Sequence, residues 1–208
     1  MVIGMNNVVI TIARQYGSGG RTIGEMLAKK LNVHYYDKEL MKLASDDSGI
    51  NEALFVNADE KVKNTSLFHI AKKEYHGELI PPESDDFTST DNLFNYQAKI
   101  IRDLAKEESC VIIGRCADYV LRNRPHCMRI FLHAPAEYRV KRIMRTENLS
   151  HGAALTKAIQ MNRKRSDNYH YYTHQPWGLS RNYHLTLDTS LGDDFVLDSI
   201  CKGLKHIQ

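Results

Sequence analysis

Short apolar runs alternate with helical patterns along most of this sequence. Residues 8–13 (VVITIA) form a run of strand length that is rich in β-branched side chains and leads directly into a glycine cluster. In the segment that follows, 22–31 (TIGEMLAKKL), the apolar residues recur at helical spacing. The chain therefore opens with the predicted order strand, glycine loop, helix.

The same alternation continues to the end of the chain. Further strands are predicted at 33–37, 110–113, 128–133 and 183–188. Helices are predicted at 38–44, 92–107, 117–122, 135–147, 155–169 and 193–206, with Pro135 in the first turn of its helix. Strands that alternate with helices indicate an α/β fold, a parallel sheet with helices on both faces.

Residues 45–91 carry weaker signals. The part 51–76 is mixed and partly helical, and 81–86 (PPESDD) is a polar break. We interpret 45–91 as a mobile insertion on the substrate side of a single domain that spans 1–208, a length that one domain commonly has.

Composition excludes several classes of protein. Of the 208 residues, 42% are hydrophobic and 25% are charged, and the net charge is +3. Such a charge suits an anionic ligand but is too small to indicate a nucleic-acid partner. No apolar run reaches membrane-spanning length, and no signal peptide pattern opens the chain, so we expect a cytoplasmic protein. The four cysteines lie far apart and are expected to be free thiols.

The glycine loop carries the strongest chemical signal. Backbone amides and the positive end of a helix converge on an anion where a glycine loop joins a strand to a helix. Residues 15–22 (QYGSGGRT) resemble the pattern GxxxxGK[ST], although Gln15 replaces the first glycine and Arg21 replaces the lysine. Arginine keeps the charge in a different geometry. The alternative is a glycine-rich turn that binds nothing. The predicted triphosphate-binding residues are Tyr16, Gly17, Ser18, Gly19, Gly20, Arg21 and Thr22, with Thr22 as the Mg²⁺ ligand.

Several motifs together resemble the cytidylate-kinase-like family of P-loop proteins, which are relatives of nucleoside monophosphate kinases. The segment 10–21 (ITIARQYGSGGR) carries the resemblance together with YYDKEL at 35–40, IIGR at 112–115, RIFL at 129–132 and YHLTLDTS at 183–190. The resemblance spans nearly the whole chain except 45–91. It implies a three-layer P-loop NTPase fold. It also implies that the protein uses ATP and Mg²⁺ and that the acceptor is a small-molecule nucleotide.

The resemblance also suggests acceptor-binding residues, namely Asp37, Arg115 and Asp118. Arg115 matches the Gly-Arg pair that contacts the acceptor nucleotide in cytidylate kinases, where an aspartate follows. Here Cys116 stands at that aspartate position and Asp118 lies two residues further on, which puts specificity for cytosine in doubt. Asp37 could orient the acceptor or a Mg²⁺-bound water, or it could cap the helix at 38–44.

Arginines are expected to dominate catalysis, because phosphoryl transfer depends on alignment and on cations around the transferring group. Arg139, Arg142 and Arg145 recur on one helical face, which could also be an ordinary solvated face. In the family context, 139–175 is the lid region and Arg142 and Arg145 are clamp candidates. The predicted catalytic residues are Arg21, Arg142, Arg163 and Arg165, with Asp167 as a pairing partner for the last two.

Three functions are compatible with these residues. The leading hypothesis is Mg²⁺-dependent transfer of the γ-phosphoryl group of ATP to a nucleoside monophosphate, with a CMP-like acceptor. The alternatives are a non-catalytic nucleotide-binding protein and a P-loop kinase for a different small acceptor. The sequence does not fix the oligomeric state, and no histidine spacing indicates a zinc site.

Overall fold

The computed structural model describes residues 7–60 and 77–207. Five parallel strands form one sheet in the order β2-β3-β1-β4-β5. The strands are β1 (Val9–Arg14), β2 (His34–Tyr36), β3 (Cys110–Ile113), β4 (Cys127–His133) and β5 (Leu185–Asp188). The glycine loop follows the central strand, so the loop lies at the middle of the carboxyl edge, where open α/β sheets bind ligands.

Helices connect the strands and cover the sheet. They are α1 (Gly20–Leu31), α2 (Glu39–Ser48), α3 (Glu52–Glu60), α4 (Thr90–Glu107), α5 (Ala117–Val120), α6 (Ala136–Glu147), α7 (His151–Thr173) and α8 (Asp193–Leu204). Two short 3-10 helices, Ser180–Asn182 and Thr189–Leu191, flank β5.

Buried residues alternate between the two faces of the sheet. On β3, Cys110 and Ile112 pack with α2 and α4 on one face, whereas Val111 and Ile113 pack with α1 and α8 on the other. A strand places successive side chains on opposite faces, and helices on both sides keep each of them from water. The α/β fold with a doubly covered parallel sheet is therefore confirmed.

Most predicted elements occur close to their predicted places, with two differences in detail. Helix α7 begins at His151 and is therefore longer than expected. Ser150 caps this helix, because its hydroxyl accepts a hydrogen bond from the amide of Ala153. Pro135 is the N-cap of α6 and lies just outside the helix. Within the predicted insertion, α3 is helical as expected, and 61–76 lies outside the described residues.

No helix in the described parts of the chain is long and apolar enough to cross a membrane. The cysteines that the sequence predicts to be free thiols carry no disulfide, and Cys110 is a fully buried core residue.

Candidate active site

Two glycines of the loop between β1 and α1 hold left-handed backbone angles. The angle φ is +81° at Gly17 and +83° at Gly19, a region that residues with a side chain rarely adopt. Space excludes a side chain as well. A Cβ on Gly17 would lie 2.8 Å from the carbonyl oxygen of Arg139, and a Cβ on Gly19 would lie 2.8 Å from Cζ of Arg142. Both positions therefore require glycine.

The loop ends at the N-terminus of α1. Gly19 is the N-cap, no side chain in the described part of the chain caps the helix, and its first turn contains no acidic residue. The first amides of a helix have no intrahelical acceptor and carry partial positive charge. The hydroxyl of buried Ser18 donates to the carbonyl of Gln15 over 2.9 Å, so this side chain stabilises the turn. The junction has the features of an anion site.

Tyr16 fixes the start of the loop to helices α6 and α7. Its amide donates to Oδ1 of Asn162 over 2.7 Å, and its hydroxyl donates to Oε1 of Glu147 over 2.5 Å. Lys157 pairs with the other carboxylate oxygen of Glu147. Burial and the neighbouring Glu147 carboxylate raise the pKa of Tyr16. The start of the loop is thus anchored to α6 and α7.

Asp37 joins two of the predicted site residues. Nε of Arg21 donates to Oδ2 of Asp37 over 2.6 Å, and Nε of Arg115 donates to the carbonyl oxygen of Asp37 over 3.0 Å. The loop, the end of β2 and the end of β3 therefore meet at one residue. The alternative that Asp37 caps the next helix is wrong, because α2 has Lys38 at its N-cap position and no side-chain cap. Its carboxylate is instead drawn to the guanidinium of Arg21.

The turn after β3 is held in an unusual conformation. Gly114, Arg115 and Cys116 have successive φ values of +70°, +56° and +53°. A non-glycine residue in this region costs on the order of 1 kcal/mol or more, and such positions cluster at functional sites. The turn directs the chain so that Arg115 reaches Asp37, while Cys116 is 6% exposed.

Three arginines of the predicted lid region contact the loop or the residues that flank it. Nη2 of Arg142 donates to the hydroxyl oxygen of Thr22 over 2.8 Å. Nη1 of Arg165 donates to the carbonyl oxygen of Arg14 over 2.9 Å, and its guanidinium carbon lies 5.2 Å from the centre of the Tyr16 ring. Nη1 of Arg139 donates to the carbonyl oxygen of Tyr16 over 3.4 Å, so helices α6 and α7 both bring guanidiniums to the glycine loop.

The other lid arginines face solvent. The side chain of Arg163 is 82% exposed and its Nε lies 3.7 Å from Oδ2 of Asp167, one helical turn away. Arg145 is exposed at the end of α6. The structure does not bring either of them to the loop.

Asp118 is buried beneath the turn and is not at its surface. It is 4% exposed, and its Oδ2 accepts a hydrogen bond of 2.8 Å from the hydroxyl of Tyr169 on α7. Burial raises the pKa of Asp118 to about 6, although the Tyr169 hydrogen bond opposes this rise. This carboxylate connects α5 to α7 and presents no exposed oxygen for a ligand.

Sequence reasoning missed two residues of this region. Asn162 holds the loop amide of Tyr16, and no local pattern distinguishes it from other polar residues of a basic helix. Arg14 closes β1 and packs against Gly20 and Gly114. One signal could have identified Arg14: it is a basic residue at the end of an apolar strand, just before a glycine loop.

Comparison with known proteins assigns this arrangement to a family. A family model described as the cytidylate kinase-like family matches residues 9–191. The chain belongs to the cytidylate kinase-like family. The match includes the glycine loop, the Gly-Arg turn and both helices that bring arginines to the loop. Membership in this family indicates kinase-type phosphoryl transfer with a nucleotide donor.

Solved structures agree on the fold. An uncharacterized protein from Eubacterium ventriosum is 26% identical, with 96% of this chain and 99% of that chain covered and a TM-score of 0.72. A shikimate kinase from Bacteroides thetaiotaomicron is 14% identical, with 95% and 98% covered and a TM-score of 0.53. A gluconokinase from Sinorhizobium meliloti is 16% identical, with 97% and 93% covered and a TM-score of 0.51. A search of curated proteins gave no match. The fold is that of P-loop kinases.

Proposed function

We propose that this protein catalyses Mg²⁺-dependent transfer of the γ-phosphoryl group of ATP to a nucleoside monophosphate, with a CMP-like acceptor. One observation carries the proposal. The uncapped N-terminus of α1 and its left-handed glycines lie beside Arg142 and next to an Arg21–Asp37–Arg115 cluster. An anion site for the donor thus adjoins a polar cluster for the acceptor.

The donor phosphates fit the loop for steric and electrostatic reasons. Gly17 and Gly19 let the loop turn tightly against α6, where a Cβ would collide, and their left-handed angles turn the loop into the uncapped N-terminus of α1, where backbone amides can bind phosphate oxygens. Arg21 is 57% exposed beside the helix terminus and can reach a bound polyphosphate. Cations placed around the transferring group stabilise charge as it develops.

Thr22 would be the protein ligand of Mg²⁺. Magnesium usually keeps several waters and binds phosphate oxygens with few protein ligands, and no cluster of three or more His, Cys, Asp or Glu side chains suited to a metal occurs among the described residues. A hydroxyl oxygen has two lone pairs, one of which accepts from Arg142. Bound Mg²⁺ would neutralise phosphate charge. Its binding at Thr22 requires the cationic Arg142 side chain to turn away.

The acceptor would lie over Asp37 and Arg115, between the ends of β2 and β3. In this proposal 139–175 closes over the donor, with Arg142 and Arg165 as the catalytic arginines, and the predicted acceptor-side insertion at 45–91 lies partly outside the described residues. Arg163 would join them only if α7 moves, since its side chain faces solvent. Asp118 would contribute indirectly, because its hydrogen bond to Tyr169 holds α5 against α7.

A coupled assay for ADP formation tests the proposal. We expect turnover with CMP or another nucleoside monophosphate in the presence of Mg²⁺, and none when Mg²⁺ is chelated. Arg21→Ala should lose most of the triphosphate affinity, whereas Arg181→Ala on an exposed 3-10 helix should not. Absence of turnover with every monophosphate would refute the acceptor class, and ATP binding without any transfer would identify a non-catalytic binder.

A second candidate function is phosphorylation of a different small acceptor. It is favoured by one observation: Cys116 and Asp118 are both buried, so neither position 116 nor position 118 exposes a carboxylate to a cytosine base. A thermal-shift screen of hydroxylated and phosphorylated metabolites would select this function, since ligands that bind the native state raise its stability.

A further inference from the structure

Arg14 spans the gap between the phosphate loop and the turn after β3. A Cβ on Gly20 would lie 2.7 Å from Cγ of Arg14, and a Cβ on Gly114 would collide with Nη1 and lie 3.2 Å from Cζ. The stem therefore rests on the first residue of α1 and the guanidinium rests on the backbone after β3. Two glycines make room for one side chain.

Arg14 is the last residue of β1 and so stands at the carboxyl edge of the sheet, where ligands of open α/β sheets bind. Its charge also lies near that of Arg21. Burial, Asp37 and Glu25 raise the pKa of Tyr35 on β2 to about 12, and the charges of Arg14 and Arg21 oppose that rise.

Arg21 can reach a bound polyphosphate from the solvent side, but its exposed side chain is paired with Asp37 and is not held inside the site as a Walker lysine is. The lysine of a P-loop lies over the β- and γ-phosphates, whereas Arg21 is 57% exposed and its Nε donates to Asp37. Arg14 is half-buried and is fixed at both ends by glycine backbone. Its carbonyl also accepts the hydrogen bond from Arg165, which ties it to the lid helix.

We infer that Arg14 is a catalytic residue whose guanidinium binds the terminal phosphoryl group of the donor, in the role that the Walker lysine has in other P-loop proteins. This inference rests on the proposed function. In the transfer, an electron pair of the acceptor oxygen forms the new P–O bond, and the pair of the broken P–O bond leaves with ADP. Arg14 stays protonated throughout and offsets negative charge on the transferring group.

Nucleotide affinity tests this inference without requiring turnover. Calorimetry with Mg²⁺ would compare ADP with a non-hydrolysable ATP analogue for wild type, Arg14→Met, Arg14→Lys and the control Arg181→Met. We expect Arg14→Met to weaken the analogue about tenfold or more, the range for a hydrogen bond to a charged group, with ADP affected less than about threefold. Arg14→Lys should recover part of the loss, and the control should match wild type.

Turnover gives the second readout. Arg14→Met should lower kcat about 100-fold, as loss of one transition-state donor does, with a small change in the KM of the acceptor. An equal loss of affinity for ADP and analogue, or no loss, would overturn the role of Arg14 while leaving the proposed function standing. If wild type binds neither nucleotide, both the role of Arg14 and the proposed function are refuted. Thermal melting checks folding, and Arg14→Lys serves as the test variant should Arg14→Met fail to fold.

Discussion

The hydroxyl of Tyr169 on α7 donates a 2.8 Å hydrogen bond to the buried carboxylate of Asp118 on α5. The pair links α7 to the short helix that follows the Gly-Arg turn. Because Asp118 is removed from water, its ionised form is disfavoured in the native state, and its pKa rises to about 6.

This burial predicts how stability depends on pH. Native Asp118 holds its proton to a higher pH than the unfolded chain, so its contribution to stability is complete below about pH 4 and is lost as pH rises through about 6. Two pKa units correspond to roughly 3 kcal/mol. Asp118→Asn removes this dependence. The free energy of unfolding of the variant minus that of wild type should therefore increase by roughly that amount between pH 4 and pH 7.

Urea unfolding at several pH values measures that difference. Asp47→Asn, which changes a carboxylate paired with Lys99 at the surface, is the control and should give a much flatter difference. A difference for Asp118→Asn that is constant with pH would show that the Tyr169 hydrogen bond fully compensates burial.

The glycine of the N-cap offers a second prediction. Gly19→Ala places a Cβ 2.8 Å from the guanidinium of Arg142 at a φ of +83°, so the loop must distort or Arg142 must move. We expect triphosphate affinity to fall about tenfold or more and stability to fall by about 1 kcal/mol. Gly152→Ala, where a Cβ meets nothing within 4 Å, should preserve both. Equal effects at the two positions would contradict a specific role for the loop backbone.

The sequence predicted the sheet well because burial on both faces is a local property. Cys110–Ile113 is a strand with the predicted limits, since four successive apolar residues before a glycine suit a strand buried on both sides. The glycine loop at the end of β1 could also be predicted from local sequence. The φ values of +81° at Gly17 and +83° at Gly19 require glycine, so the residue type itself marks the turn.

Tertiary partners could not be predicted in the same way. Tyr16 and Asn162 are 146 residues apart, and no periodicity specifies that pair. The spacing of Arg142, Arg145, Arg163 and Arg165 marks helical faces but not which face meets the loop. Arg163 and Arg165 lie two residues apart on nearly opposite faces of α7, and only packing shows that the face of Arg165 reaches the backbone of β1 while Arg163 remains in solvent. Asp118 was expected to bind the acceptor. That expectation did not consider that the chain enters the core two residues after the turn.

The bond between Asn162 and Tyr16 leads to a third prediction. Asn162→Ala removes the acceptor of the Tyr16 amide and leaves a partly buried donor without a partner, which costs about 1 to 3 kcal/mol. We expect lower stability and a KM for ATP that rises about fivefold, because the loop loses its anchor to α7. Asn162→Asp keeps the acceptor oxygen and should restore the loop. Equal loss in both variants would show that the amide side chain matters for another contact.

The hydroxyl of Thr22 has two possible partners, and a pair of substitutions separates them. It accepts a hydrogen bond of 2.8 Å from Arg142, and the proposed function also requires it to bind Mg²⁺. Thr22→Ser keeps the oxygen, whereas Thr22→Val keeps the shape of the side chain without it. If the oxygen binds the metal, the Mg²⁺ concentration for half-maximal ADP formation should rise about tenfold in the valine variant and stay near wild type in the serine variant. If the oxygen serves only Arg142, the valine variant should lower kcat at every Mg²⁺ concentration without shifting that midpoint.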